Sequence, residues 1–348
     1  MALEVTGKYR YPPPNPRWLA LHQETALEPE LPIVDAHHHL WDEPGNRYQS
    51  QDLTADIADS GHRIVATVYV QAHAAYRTHG PEHLRCVGET EAAERVRQAS
   101  VANHDKTRMC AAIVGYADLR DGTRLDEVLE AHQEASPAFR GVRQSAARDR
   151  HFPEGIVLRP APEGMLADEA MRAGVRRLGR SGLRFDAMVY HEQLAELASL
   201  ARAVPNTCIM LNHYGCPLGV GPYAGHEAER YAVWRDGIAE LARCENVHVK
   251  LGGLGMIVTG ARYHLQDKPP DSSRLAADWK PWIEACIESF GTHRCLFEGN
   301  FPVDKAMFSY GVLWNACKLV TAALSREERL DLFGRNAMSF YGLSPACV

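Results

Sequence analysis

The stretch LPIVDAH, residues 31–37, decides the fold. It is a short apolar run with β-branched residues, and seven more of that kind follow it. They are RIVATVYV (63–70), CAAIVGY (110–116), FRGVRQ (139–144), LRFDAMVY (183–190), TCIMLNH (207–213), VHVKLGG (247–253) and RCLFEGN (294–300). Between them lie helix-like segments such as ETEAAERVRQASVANH, RLDEVLEAHQEAS, EQLAELASLARAV and SSRLAADWKPWIEACIESFG, with further helices near 305–322 and 325–340. Strands alternating with helices predict a parallel sheet of βα units. Eight of them, with no G-x-G-x-x-G turn, predict a single (β/α)8 TIM barrel of the α/β class rather than an open doubly wound sheet.

The chain has 348 residues, and a barrel of this kind takes about 250. The surplus is assigned to a proline-rich N-terminal arm over residues 1–31, to long loops near 72–88, 144–168 and 254–272, and to an extra C-terminal helix, with the barrel domain spanning 32–348. The arm is expected to pack over the domain or over a neighbouring subunit, which leaves a homo-oligomer open. The loop LGMIVTGARYHLQDKPPDSS is expected to act as a lid. With 38 basic against 44 acidic residues and a net charge of -6, the chain is no electrostatic nucleic-acid binder. It has no apolar stretch of about 20 residues and no signal-peptide core, so no membrane contact and a cytoplasmic location are expected. Nine cysteines without a C-x-x-C pair suit packed thiols better than a disulfide framework or a zinc ribbon. Histidine stands out instead, at 17 residues, three of them consecutive.

Those three lie in Asp35-Ala36-His37-His38-His39, at the end of the first strand. Strand side chains alternate, so Asp35, His37 and His39 are expected on one face and His38 on the other. Two imidazoles projecting together from a barrel mouth make half of a metal site.

VDAHHHLWD, LNHYGCPLG, VHVKLGGLGM, CLFEGNFPVDK and SYGVLWNACKL together resemble the amidohydrolase superfamily, in its amidohydrolase-2 branch of TIM-barrel hydrolases related to sugar and dicarboxylate lactonases. The resemblance runs from about 31 to 342. It implies a site at the barrel mouth with His37 and His39 as metal ligands, His191 after the fifth strand as a third, and His213 orienting substrate or water. Relatives commonly end the eighth strand in G-S-D-W-P, the Asp serving as ligand and base; here the segment reads Glu298-Gly299-Asn300-Phe301-Pro302. An amide cannot take a proton from water, although its carbonyl can hold one. Glu298, with the strand parity of Asn300 and one layer below it, is therefore the candidate ligand or proton acceptor, or else a buried partner of Lys250 or Arg143. Asp304 is either a second such candidate or the cap of a helix starting near Lys305.

Arg143, Lys250, Gln71 and His73 complete the mouth as candidate substrate contacts, Arg143 with a fork suited to a carboxylate. Glu89, Tyr263, His264 and His151 are more remote candidates. The leading expectation is a metal-dependent hydrolase that opens a lactone or related cyclic ester or amide with an activated water. It would act on a small molecule, cyclic or carboxylate-bearing, with zinc or manganese bound; a metal-free version stays open. The alternative is a non-haem iron oxygenase, mono- or dinuclear, on the same barrel, because Asn300 removes the hydrolytic base and donors are in surplus. A barrel that only binds a ligand is a third reading.

Overall fold

The computed structural model describes residues 11–156 and 160–343; the first ten residues of the arm, three of the loop 144–168 and the last five residues of the chain lie outside them. Eight strands form one sheet, β1 Ile33–His38, β2 Ile64–Val70, β3 Arg108–Gly115, β4 Phe139–Ser145, β5 Arg184–Met188, β6 Ile209–Leu211, β7 Val247–Leu251 and β8 Cys295–Phe297. They pair in chain order, each parallel to the next. β8 returns to β1 through an irregular seam: Asn300 N–H donates to His37 O at 2.8 Å and His39 N–H to Phe301 O at 2.8 Å. The predicted barrel is thus observed, with all eight predicted strands in place.

A helix follows every strand: α1 Ser50–Ser60, α2 Val87–Ala102, α3 Leu125–Ala135, α4 Glu169–Arg180, α5 Leu194–Ala203, α6 Glu227–Ala242, α7 Ser272–Phe290 and α8 Tyr310–Val320. Their local chemistry explains them. α5 buries Leu194, Leu197, Ala198, Leu200 and Ala201 at helical spacing against the sheet. Asp168, Asp271 and Ser309 cap α4, α7 and α8 by accepting backbone N–H bonds. The predicted C-terminal helix runs from Arg326 to Tyr341, as α9 Arg326–Leu330 and α10 Asn336–Tyr341 joined by a π-helical stretch, Asp331–Arg335. α10 seals the bottom of the barrel, where the Tyr341 hydroxyl donates to Asp186 Oδ2 at 2.9 Å.

Two local expectations are corrected. β1 carries an irregularity between Asp35 and His38, where three residues advance against two on β2. The alternation therefore slips. Asp35 turns to α8, accepting the Tyr310 hydroxyl at 2.7 Å and the Gly299 N–H at 2.7 Å, instead of sharing a face with His37 and His39. His38 does point away, to Thr67 Oγ1 at 3.0 Å. Asp304, in turn, caps no helix: α8 starts at Tyr310 with Ser309 as its cap, and Asp304 is buried beside Asn300.

The described part of the arm lies on its own chain. Glu24 accepts Ser272 N–H at 2.7 Å and Asn315 Nδ2 at 2.9 Å, and Lys318 Nζ donates to the carbonyls of Leu27 and Glu28, both at 2.8 Å. These bonds fasten residues 24–28 to α7 and α8. Trp18 Nε1 reaches Gln266 O at 2.8 Å, and Tyr11, Pro12 and Pro14 then run over the barrel mouth. No described helix is long and apolar enough to cross a membrane.

Candidate active site

The mouth holds a cavity of about 360 Å³, within the range of small-molecule sites. Its polar floor comes from strand ends and the turns just after them: His39 from β1, Gln71 and His73 from β2, Arg143 and Ser145 from β4, His213 after β6 and Asn300 after β8. Beneath it lies a buried layer of His37, Asp186, Lys250 and Glu298.

Glu298 joins the two levels. Its Oε1 accepts His213 Nδ1 at 2.6 Å, and its Oε2 lies 2.8 Å from His37 Nδ1 without the alignment of a hydrogen bond. The glycine pair after β7 makes this arrangement possible. A Cβ on Gly252 would stand 2.4 Å from Glu298 Cγ, and one on Gly253, which sits at φ +80°, would stand 2.7 Å from His213 Nδ1.

A partner assigns the His39 proton. Val70 O can only accept, so His39 Nδ1, 2.7 Å from it, carries the proton. His37 meets a donor at each ring nitrogen: the Arg143 guanidinium lies 3.3 Å from Nε2 and Lys250 Nζ lies 3.3 Å from Nδ1, where Glu298 Oε2 also comes to 2.8 Å. Burial, then Lys250, lowers the His37 pKa well below the usual value; burial, then Arg143, does the same for His39. Two neutral rings consequently face each other, Nε2 to Nε2, 3.1 Å apart. Pinned, neutral imidazoles are what divalent ions take, and His37 and His39 would hold one through these nitrogens. His37, His213 and Glu298 also bring donors together. Of the Glu298 oxygens, Oε1 is bonded to His213 and Oε2 has no hydrogen-bond partner.

The remaining candidates separate clearly. Lys250 pairs with Asp186 at 2.9 Å rather than with Glu298, and lies below the cavity. Arg143 pairs with neither carboxylate; it donates to Gln71 O and to His37 Nε2. His73 lines the cavity with its Nδ1 2.9 Å from the Tyr76 hydroxyl. Asn300 donates through Nδ2 to Asp304 Oδ1 at 3.0 Å, which turns its carbonyl to the cavity; its φ of +52° is one that Asn tolerates better than most residues. Burial raises the Asp304 pKa well above the usual carboxylate range. Glu89, on the first turn of α2, does reach back: Oε1 accepts Ala72 N–H at 2.6 Å, Ala74 N–H at 3.2 Å and the Tyr69 hydroxyl at 2.8 Å, clamping the loop that bears His73.

His191 is not brought into this group. Its Nδ1 accepts Leu218 N–H at 3.3 Å, and its ring stands 5.2 Å from that of Tyr223. Tyr263 donates to Asp278 of α7 at 2.7 Å, His264 contacts Met307 Sδ at 3.1 Å, and His151 takes a bond from Arg150 at 3.2 Å. None of the four lines the cavity; the loop 254–272 contributes Met256 instead. Sequence reading missed Tyr11, Trp41 and Asp186. Only Asp186 left a signal, as a lone acid inside an apolar strand that requires a buried partner.

The sequence pattern of the amidohydrolase family matches residues 34–343. An uncharacterized protein of Sinorhizobium fredii, y4mH, is 31% identical over 334 residues, covering 90% of this chain and 99% of that protein. An L-fucono-1,5-lactonase of Burkholderia ambifaria is 28% identical over 326 residues, 88% of this chain and 94% of the lactonase. The crystal structure of a Burkholderia multivorans amidohydrolase with bound zinc superposes with a TM-score of 0.66 at 22% identity, over 90% of this chain and 99% of that one. With strand-end residues converging on one mouth and the family's sequence pattern running through nearly the whole barrel, this chain belongs to the amidohydrolase family.

Proposed function

We propose that the protein is a metal-dependent hydrolase that opens a lactone or a related cyclic ester or amide. The observation that carries this is the meeting of His37 Nε2 and His39 Nε2, 3.1 Å apart, with His39 at the floor of the cavity and His37 in the buried layer beneath it. Those two nitrogens would hold zinc or manganese. The ion, when bound, polarises a carbonyl or lowers the pKa of a water.

The protein side chains supply the rest. Asn300 cannot accept the proton that the usual Asp takes, but His213 can. Its Nδ1–H is held by Glu298 at 2.6 Å, which leaves Nε2 as the proton acceptor, and the carboxylate balances the charge of the imidazolium that forms. The Asn300 carbonyl, fixed by Asp304, accepts a hydrogen bond from the attacking water. The Arg143 guanidinium holds an oxygen of the substrate, a carbonyl or a carboxylate. Lys250 and Asp186 keep the His37 ring in place. The family match and the lactonase relatives support hydrolysis over the iron oxygenase alternative.

Metal analysis of protein purified without added metal, together with a lactone-opening assay, tests the proposal. Zinc or manganese near one equivalent with ring opening is expected, and His37→Ala/His39→Ala should lose both. Iron with oxygen-dependent turnover, or full activity in the double variant, overturns it.

A further inference from the structure

The floor of the cavity is polar, but its roof is not. Tyr11, Pro12 and Pro14 of the arm cover the mouth, and Trp41, stacked on His39 with centroids 5.8 Å apart at 22°, forms a wall with Met188 and Met256. The roof lies before residue 34, where the match to the family's pattern begins. The Tyr11 hydroxyl is the roof's one polar side-chain group, and its hydrogen-bond partner among the described residues is Met256 Sδ at 3.7 Å, a weak acceptor. That hydroxyl is free to turn to a ligand. On this side a polyhydroxylated ring would meet the Tyr11 hydroxyl and the Asn46 side chain, with a buried, unpaired Nε1 on the Trp41 wall, and would press its other hydroxyls against proline and thioether surface, whereas an apolar ring would gain contact on three sides.

We propose that the proline-rich arm is the roof of the substrate cavity and that, with Trp41, it selects cyclic substrates with an apolar aromatic or alicyclic body over polyhydroxylated ones. The inference deepens the hydrolase reading and rests on it for the identity of the site. The barrel floor performs the reaction, and the arm and the wall beside it choose which ring reaches it. Tyr11 acts as a specificity-determining residue.

Equilibrium binding of two slow-reacting analogues, 3,4-dihydroquinolin-2-one and D-glucono-1,5-lactam, followed by calorimetry and tryptophan fluorescence, tests this on the full chain, Tyr11→Ala, Tyr11→Phe and a chain lacking residues 1–14. The full chain should bind the apolar lactam about tenfold more tightly than the sugar lactam, a difference in keeping with burying one ring face. Tyr11→Ala and the shortened chain should lose that preference through weaker binding of the apolar lactam, with unchanged melting temperatures showing that the barrel is intact. Tyr11→Phe should keep most of it. Equal affinities in the full chain, or a preference that survives loss of the arm, overturns the proposal. Turnover is not needed for this readout. A chain that shows the binding pattern but opens neither parent lactone defeats the hydrolase reading alone, and one that opens both equally with or without the arm defeats the roof alone.

Discussion

Glu298 meets two imidazoles at Nδ1, His213 through a 2.6 Å hydrogen bond, which leaves that ring's Nε2 for chemistry, and His37 through a 2.8 Å contact. Replacing it by Gln keeps the volume but offers one acceptor and one donor where two acceptors stood. The ring meeting the amide N–H must move its proton to Nε2 or turn. Glu298→Gln should therefore lower kcat by about 10²–10⁴-fold, the worth of general acid–base catalysis, with a much smaller change in KM. Steady-state kinetics across pH would check it; a rate and pH profile like the parent's would reduce Glu298 to packing. At this scale the sequence named His37, His39 and Glu298 by residue type and position in the strand, and His213 and Asn300 through the family resemblance. It left the pairing of the charges open. Lys250 and Asp186 are 64 residues apart, and His213 and Glu298 are 85 apart, so no local pattern couples them.

At the scale of elements, α2 is tied to the β2 loop by Glu89. Burial raises its pKa from 4.5 to about 7, against the three hydrogen bonds that lower it. In the unfolded chain the carboxyl loses its proton near 4.5, whereas the folded chain keeps it to about 7. The protonated side chain thus favours the fold at low pH, and that contribution is lost as pH rises from 4.5 through 7. Between pH 5 and 8 the loss is about 2 kcal/mol. Glu89→Gln cannot ionise, so urea denaturation should show it losing about 2 kcal/mol less stability than the parent over that interval. Parallel curves for the two proteins would remove this role. The barrel strands were legible because each is an apolar β-branched run whose meaning depends on its own few residues. α1 was not, since SQDLTADIADS buries only Leu53 and Ser60. The slip in β1 was also hidden, because reading a period of two assumes an unbroken ladder.

For the whole molecule, the arm is the part that no barrel rule specifies. Glu24 anchors it by joining Ser272 at the start of α7, Asn315 of α8 and His22 of the arm itself. Glu24→Ala removes charge-assisted bonds worth about 1.5–3 kcal/mol each at most, and leaves Asn315 short of a partner. Trypsin should then cut after Arg17 faster than in the parent, while the barrel core remains protected. An unchanged cleavage rate would place the anchor elsewhere, in Lys318 and the carbonyls of Leu27 and Glu28. The proline content marked residues 1–31 as an arm, yet it left open whether the arm covered its own domain or a neighbour. By itself the sequence determined the barrel and the histidines at the end of its first strand, because these follow from residue type and from spacing along single elements. The tertiary structure alone decided which partners each imidazole meets, that Asp35 turns away from His37 and His39 and His191 stands apart from them, and that Tyr11, Pro12 and Pro14 line the cavity. Those outcomes depend on strand register and on partners tens to hundreds of residues away, which meet only when the barrel closes.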